Sequence, residues 1–288
     1  MPNLKDIKRS IASVKNTQQI TKAMKLVAAA KLRRAQEAVE AARPYASKMV
    51  ELMTSIAARS DSESHPLLSR RDVENILIVV LTGDKGLCGP FNNSILKTAQ
   101  QIIEENEGKG IHLLLVGKKS VDFFRRRPFK IIKSIVDYGK RVNNAMAEEI
   151  AGEVMESFIS EKADVVYLVY NKFKNVVVQE PQAVSLLPLE LPPVEEGSQP
   201  QTVDYEYEPS ANEILDDLLK SYVVSHIYHA MLESAASEHG ARMTAMDAAT
   251  RNASEMIAEL TLKYNRARQA AITTELIEVV AGADALEG

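Results

Sequence analysis

Tryptophan is absent from this sequence, only one cysteine is present, and aromatic residues make up 5% of the chain. A lone Cys88 excludes an internal disulfide, a Cys-rich zinc site and a paired-thiol redox switch, and it fits a reducing compartment. Few aromatics suit helices with small-residue seams better than one bulky core. Long apolar runs are lacking too: stretches such as Ile76–Leu81 are far too short to span a bilayer, and residues 1–30 hold no apolar core of signal-peptide length. These absences predict a cytoplasmic protein, or one held at a membrane only through partners.

What is present is an ordinary 45% hydrophobic content over 288 residues, enough for one large or two small domains. The net charge of −4 is unevenly spread, because residues 1–60 carry twelve Lys or Arg against four Asp or Glu. The amino-terminal arm is therefore a separate electrostatic object.

The last eighty residues organise the rest. From Val223, small or apolar residues recur in steps of three or four through Ile227, Ala230, Ser234, Ser237, Ala241, Ala245, Ala248, Asn252, Met256, Leu260, Lys263, Ala267, Ala270, Thr274, Ile277 and Ala281. That spacing marks one face of a single helix. Pro209 and the Ser210-x-x-Glu213 capping box predict its start, and Gly282 its end. At about 1.5 Å per residue it runs roughly 105 Å, and its Ala/Ser seam calls for a closely approaching partner.

A second long helix is predicted over 3–58, with Leu4, Ile7, Ile11 and Val14 opening a stripe that resumes through Ile20, Met24, Ala28, Leu32, Ala35, Val39 and Ala42. Gln18 and Thr21 interrupt the stripe, and Pro44 predicts a kink. Residues 59–72 read as a polar linker. An α/β sheet domain follows over 73–190, with strands at 75–82, 111–116, 131–136, 165–170 and 175–187 and helices at 91–106, 118–126 and 142–160. A Pro-rich linker, 191–200, precedes the last helix at 209–286. Because the first helix ends at the α/β domain and the last begins there, the two are expected to pair as an antiparallel coiled coil with a Rossmann-like α/β domain inserted between them. The last is longer by about fifteen residues, so its far end should overhang.

Candidate chemistry is sparse. Gly83-Asp-Lys-Gly86-Leu-Cys-Gly89 lies where a nucleotide fold places a phosphate loop, but G-x-x-G-x-x-G matches neither common glycine motif. A tight turn presenting Asp84 and Lys85 to a partner is the preferred reading. His226, His229, Glu233 and His239 share the last helix, yet spacing fixes no third ligand for a metal, so solvated or interface side chains are expected. Glu148-Glu149 and Asp216-Asp217 are adjacent pairs that diverge around a helix. No catalytic constellation, cofactor site or metal site emerges. The basic arm has three readings: a solvated face, a nucleic-acid contact, or a contact with an acidic protein surface. Residues 1–44 contain no aromatic residue, which counts against nucleic acid.

Four blocks then carry a family resemblance: Ile11-Ala-Ser-Val-Lys-Asn-Thr-Gln-Gln-Ile-Thr-Lys-Ala-Met24 with Val27-Ala-Ala following; Gly86-Leu-Cys-Gly89 with Asn92; Tyr205-Glu-Tyr-Glu-Pro209; and Gly240 to Thr250 continuing into Tyr264 to Ala283, with its I-T-x-E-x-x-E-x-x-x-G-A pattern. The chain resembles gamma subunits of F-type ATP synthases of the bacterial kind over its whole length. The resemblance implies a rotor shaft inside a ring of three alpha and three beta subunits, with the α/β domain as a foot on the c-ring beside epsilon. It also implies that ATP is made on beta, and that the protein lies peripherally on the cytoplasmic face of the bacterial plasma membrane, without a membrane span or bound nucleic acid. Met24 matches a position facing the acidic beta segment, and Lys85 stands where many relatives have arginine. Arg242, Arg268, Gln269, Thr273 and Glu275 match positions contacting beta or supporting the coiled coil, and Tyr205 and Tyr207 match the region near the c-ring. The alternative is a nucleotide-binding α/β enzyme with coiled-coil arms.

Overall fold

The computed structural model describes residues 4–57, 65–138, 142–189 and 211–287. Tyr205, Tyr207, the Pro209–Ser210 helix start, the Pro-rich linker and part of the 59–72 linker lie outside the described residues. Among the described residues ten elements follow in chain order: α1 (Leu4–Ala57), β1 (Asn75–Leu81), α2 (Phe91–Glu105), β2 (Gly110–Val116), α3 (Lys118–Phe124), β3 (Lys130–Ile135), α4 (Asn144–Ile159), β4 (Val165–Phe173), β5 (Gln179–Leu187) and α5 (Ala211–Glu287). The chain forms two compact units, one of residues 28–242 and one of residues 1–27 with 243–288.

In the larger unit a five-stranded sheet runs in the order β3-β2-β1-β4-β5. β1 pairs in parallel with β2 and β4, β2 with β3, and only β5 returns antiparallel to β4. The central strand is apolar at nearly every position because both of its faces are covered. Leu77, Val79 and Leu81 pack with Ile150 and Val154 of α4 and with Leu219, Val223 and Ile227 of α5. Ile76, Ile78 and Val80 pack with Phe91, Ile95 and Ala99 of α2. Local polar groups set the ends. The Asp164 carboxylate accepts from the amides of Glu74 and Asn75 as β1 begins, and Asn143 caps α4 by accepting from the Met146 amide at 3.0 Å. At Gly117 (φ +94°) a side chain would meet the Thr82 carbonyl oxygen at 1.9 Å, so only glycine fits there.

In the smaller unit α1 and α5 pair antiparallel. Gln18 Nε2 donates to Ser254 Oγ at 2.6 Å, the Thr21 and Thr250 hydroxyls meet at 2.8 Å, and Lys25 Nζ pairs with Asp247 Oδ1 at 2.5 Å. Each step forward on α1 is matched by a step back on α5. The seam therefore alternates three and four on both helices: Leu4, Ile7, Ile11, Val14, Gln18, Thr21 and Lys25 against Met246, Thr250, Ala253, Ile257, Leu260, Tyr264, Ala267 and Ala271, which are the less exposed positions.

This corrects three expectations. Gln18 and Thr21 do not interrupt the stripe of α1; they occupy it, and Ile20 is left 59% exposed. The expected line on α5 holds through Ala241, but Asn252, Met256, Lys263, Ala270, Thr274 and Ile277 are exposed. Consecutive steps of four carried that line off a seam that needs an average of about 3.5. Finally, Gly282 does not end α5, which continues to Glu287: a glycine inside a helix costs only about 1 kcal/mol relative to alanine.

Candidate partner-contact surfaces

In the larger unit the glycine turn is built from within. Gly83 N donates to Asn92 Oδ1 at 2.9 Å, and Asn92 Nδ2 reaches back to the Lys85 carbonyl at 3.3 Å and to Cys88 Sγ at 3.1 Å. The inner side of the turn is thus filled by Asn92, from the first turn of α2. Asp84 is not presented outward as expected: its Oδ1 accepts from the amides of Lys118 (3.0 Å) and Asp137 (2.9 Å), tying the ends of β2 and β3 to the turn. Lys85 is exposed, and beside it Leu87 (φ +61°) is 66% exposed.

In open parallel sheets, ligands bind beyond the carboxyl ends of the strands where strand order reverses, here between β1 and β4. α5 covers that position itself. Ser237 Oγ donates to the Asn171 carbonyl at 3.1 Å, and Glu233 Oε2 accepts from the Phe173 amide at 2.8 Å, both at the end of β4. Glu238 lies against Gly83 just beyond β1, where an added Cβ would sit 2.9 Å from its carboxyl carbon.

The histidine and acid cluster is accordingly solvated only in part, with His226 exposed. Glu233 is buried, and His229 approaches it only at 3.8 Å. Burial, then Arg242 and Lys31, hold the His239 imidazole down to about 4. No group of three metal-ligating side chains exists among the described residues. Arg242, expected to contact beta or to support the coiled coil, donates to Glu238 Oε1 at 2.6 Å and to the Gly86 carbonyl at 3.3 Å, and its side chain is only 12% exposed. Sequence reasoning passed over Glu238. Its i, i+4 spacing to Arg242 was the available signal.

In the smaller unit, Met24 flanks the seam and is half-buried. Lys25 holds the Asp247 carboxyl below its ordinary range, with Arg251 adding to the effect. Continuing the register of the three polar rungs puts Leu4 opposite residue 268, so beyond Ala271 no described residue of α1 faces α5. Thr273 and Glu275 fall there and Arg268 and Gln269 at its edge, all exposed. Gln269 and Thr273 share one face, and the Thr273 hydroxyl donates to the Gln269 carbonyl at 2.9 Å. Arg268 and Glu275, seven apart, share another. The remainder of this stretch exposes Leu276 (59%), Ile277 (63%), Val279 (69%) and Val280 (58%). Among the described residues no helix is long and apolar enough to cross a membrane.

A family model described as ATP synthase matches residues 3–286. The ATP synthase gamma chain of Pelotomaculum thermopropionicum is 50% identical over 287 residues, and that of Desulforamulus reducens 51%, each match covering 100% of both chains. Among solved structures, a chain of the Tetrahymena thermophila mitochondrial ATP synthase central stalk and c-ring is 32% identical with a TM-score of 0.62, covering 80% of this chain and 99% of that one. A chain of the Euglena gracilis mitochondrial ATP synthase shares the fold at a TM-score of 0.67 and 19% identity, covering 98% of this chain and 94% of that one. Matched over its full length at half identity, the protein belongs to the ATP synthase gamma chain family.

Proposed function

We propose that the chain is the central-stalk rotor subunit of a bacterial-type ATP synthase, coupling proton flow through a membrane c-ring to ATP synthesis or hydrolysis on beta subunits. In this reading the coiled coil turns within an alpha/beta ring, and the α/β unit serves as the foot towards the c-ring and epsilon. The observation that carries it is the end of α5, where none of the described residues of α1 faces it and a run of apolar side chains stays exposed. Such a surface calls for a surrounding partner. An asymmetric two-helix shaft in a threefold collar meets its three faces differently, which is the differential contact that conformational coupling requires.

Met24, Lys85, Arg268, Gln269, Thr273 and Glu275 are proposed as contacts with beta, Arg242 as a support, and Tyr205 and Tyr207 as part of the foot near the c-ring. The chain itself is proposed to be non-catalytic and peripheral at the cytoplasmic face of the plasma membrane. The rival enzyme reading needs an open crevice at the β1/β4 switch point, and Glu233, Ser237 and Glu238 occupy that position.

Co-expression with alpha and beta subunits tests the assignment. Co-purification in a 3:3:1 ratio and ATP hydrolysis that depends on this chain are the expected results. Recovery of the chain alone, together with stoichiometric ATP binding by it, would replace the rotor with the enzyme.

A further inference from the structure

We infer that Glu238, Arg242 and Gly83 form a joint that fixes the exposed Lys85–Leu87 turn to α5, with Glu238 as its positioning residue. Three independent features converge. The Glu238–Arg242 pair is 2.6 Å long with side chains only 7% and 12% exposed, so neither charge has much water to fall back on. The guanidinium spends a second donor on the Gly86 carbonyl, inside the turn. Gly83 lets the backbone pass directly over the carboxylate: an added Cβ would lie 2.9 to 3.1 Å from three carboxylate atoms. Since no positive φ is involved at Gly83, the demand for glycine there comes from Glu238 and not from backbone conformation.

Around this pair the turn has little freedom. Asn92 spans it from Gly83 to Lys85 and Cys88, and the Lys119 amide donates to the Gly83 carbonyl at 3.2 Å. Tyr138, fully buried, lies close enough for the Glu238 charge to act on its hydroxyl. A push delivered to Lys85 or Leu87 therefore reaches α5 through charged, desolvated contacts that do not slide. A purely apolar seat would hold the turn without fixing its angle.

This inference rests on the proposal that Lys85 meets a partner, and the test separates the two. Cys88, the only cysteine, is buried in the turn, and burial pushes its thiol above the ordinary range, so it should react with maleimide only when the turn opens. In the full chain assembled with alpha and beta subunits, Glu238→Gln and Gly83→Ala should each raise the native-state labelling rate of Cys88 by about tenfold or more and slow ATP-driven turnover. The double variant Gly83→Ala with Glu238→Asp, which withdraws the carboxylate by one methylene, should return both readouts most of the way. Absence of that rescue, with the double variant no better than Gly83→Ala, overturns the joint. Labelling that responds as expected while turnover stays unchanged keeps the joint and removes Lys85 from the partner surface.

Discussion

Helix α5 is a single run of backbone hydrogen bonds that serves two different purposes along its length. Between Leu215 and Ala241 it buries large side chains (Leu219, Val223, Ile227 and Met231 are essentially inaccessible) together with Glu233, Ser234, Ser237 and Glu238. From Met243 onward only Met246 and Ala253 are buried among the described residues, and contact with α1 runs along a narrow line of polar rungs and small residues. The first stretch is a core element with ionic contacts at its edge. The second is one half of a coiled coil whose register is set by hydrogen bonds, with much of its surface left for others. Full burial of a Leu or Ile contributes about 1.5–3 kcal/mol relative to exposure, so stability should concentrate in the first stretch.

The sharpest way to break that contrast is to cut equal side chains in both halves. Ile227→Ala, in a fully buried site, is expected to cost about 2–5 kcal/mol in urea denaturation of the full chain, whereas Ile272→Ala, at a side chain 48% exposed, should stay within about 0.5 kcal/mol. Similar losses at the two positions would mean that the far end of α5 has a core partner that its exposure does not reveal.

What the sequence made legible follows the same division. The Asn75–Leu81 run announced a central strand because burial on both faces leaves no polar alternation to misread. The Val223–Ala241 line was readable because it opens on two large apolar residues, Val223 and Ile227, and keeps helical spacing through the small residues that follow. Beyond Ala241 alanines lie on every side of α5, so composition gives no contrast between seam and surface, and the expected line drifted. On α1 the polar seam residues Gln18 and Thr21 looked like gaps, since their partners lie 236 and 229 residues away. The Glu238 contact with Gly83 is likewise a tertiary event. Nothing within a few residues of either one signals it.

A middle-sized effect separates the halves by pH. His239 is held down to about 4 by burial, and then by Arg242 and Lys31. Its ordinary value is near 6.5, so between these values the unfolded chain binds a proton that the folded one refuses. The contribution is whole above about 6.5 and is lost as pH falls towards 4. Hydrogen exchange should therefore show protection in the larger unit falling between pH 7 and pH 5, and His239→Gln should flatten that slope. An unchanged slope in the variant would assign the acid sensitivity to other groups.

The smallest effect tests whether the polar rungs hold the two-helix unit together or only choose its alignment. Thr21 Oγ1 lies 3.0 Å from the Gln18 carbonyl, Thr250 Oγ1 lies 2.7 Å from the Met246 carbonyl, and the hydroxyls are 2.8 Å apart. Two hydroxyls carry two protons, so these three contacts cannot all be hydrogen bonds at once. Making the bond across the seam means giving up one bond to the backbone, and the rung is worth less than its geometry suggests. Thr21→Val should cost about 1 kcal/mol, and the shape-matched pair Thr21→Val with Thr250→Val should recover most of that, because neither hydroxyl is then left facing a methyl group. The double variant should nonetheless lose uniqueness of register, visible as broadened exchange protection over residues 243–258, since a polar residue in a seam specifies alignment at some expense of stability. If the pair instead loses as much as Ile227→Ala, the narrow seam is energetically a core, and the two halves of α5 differ in appearance alone.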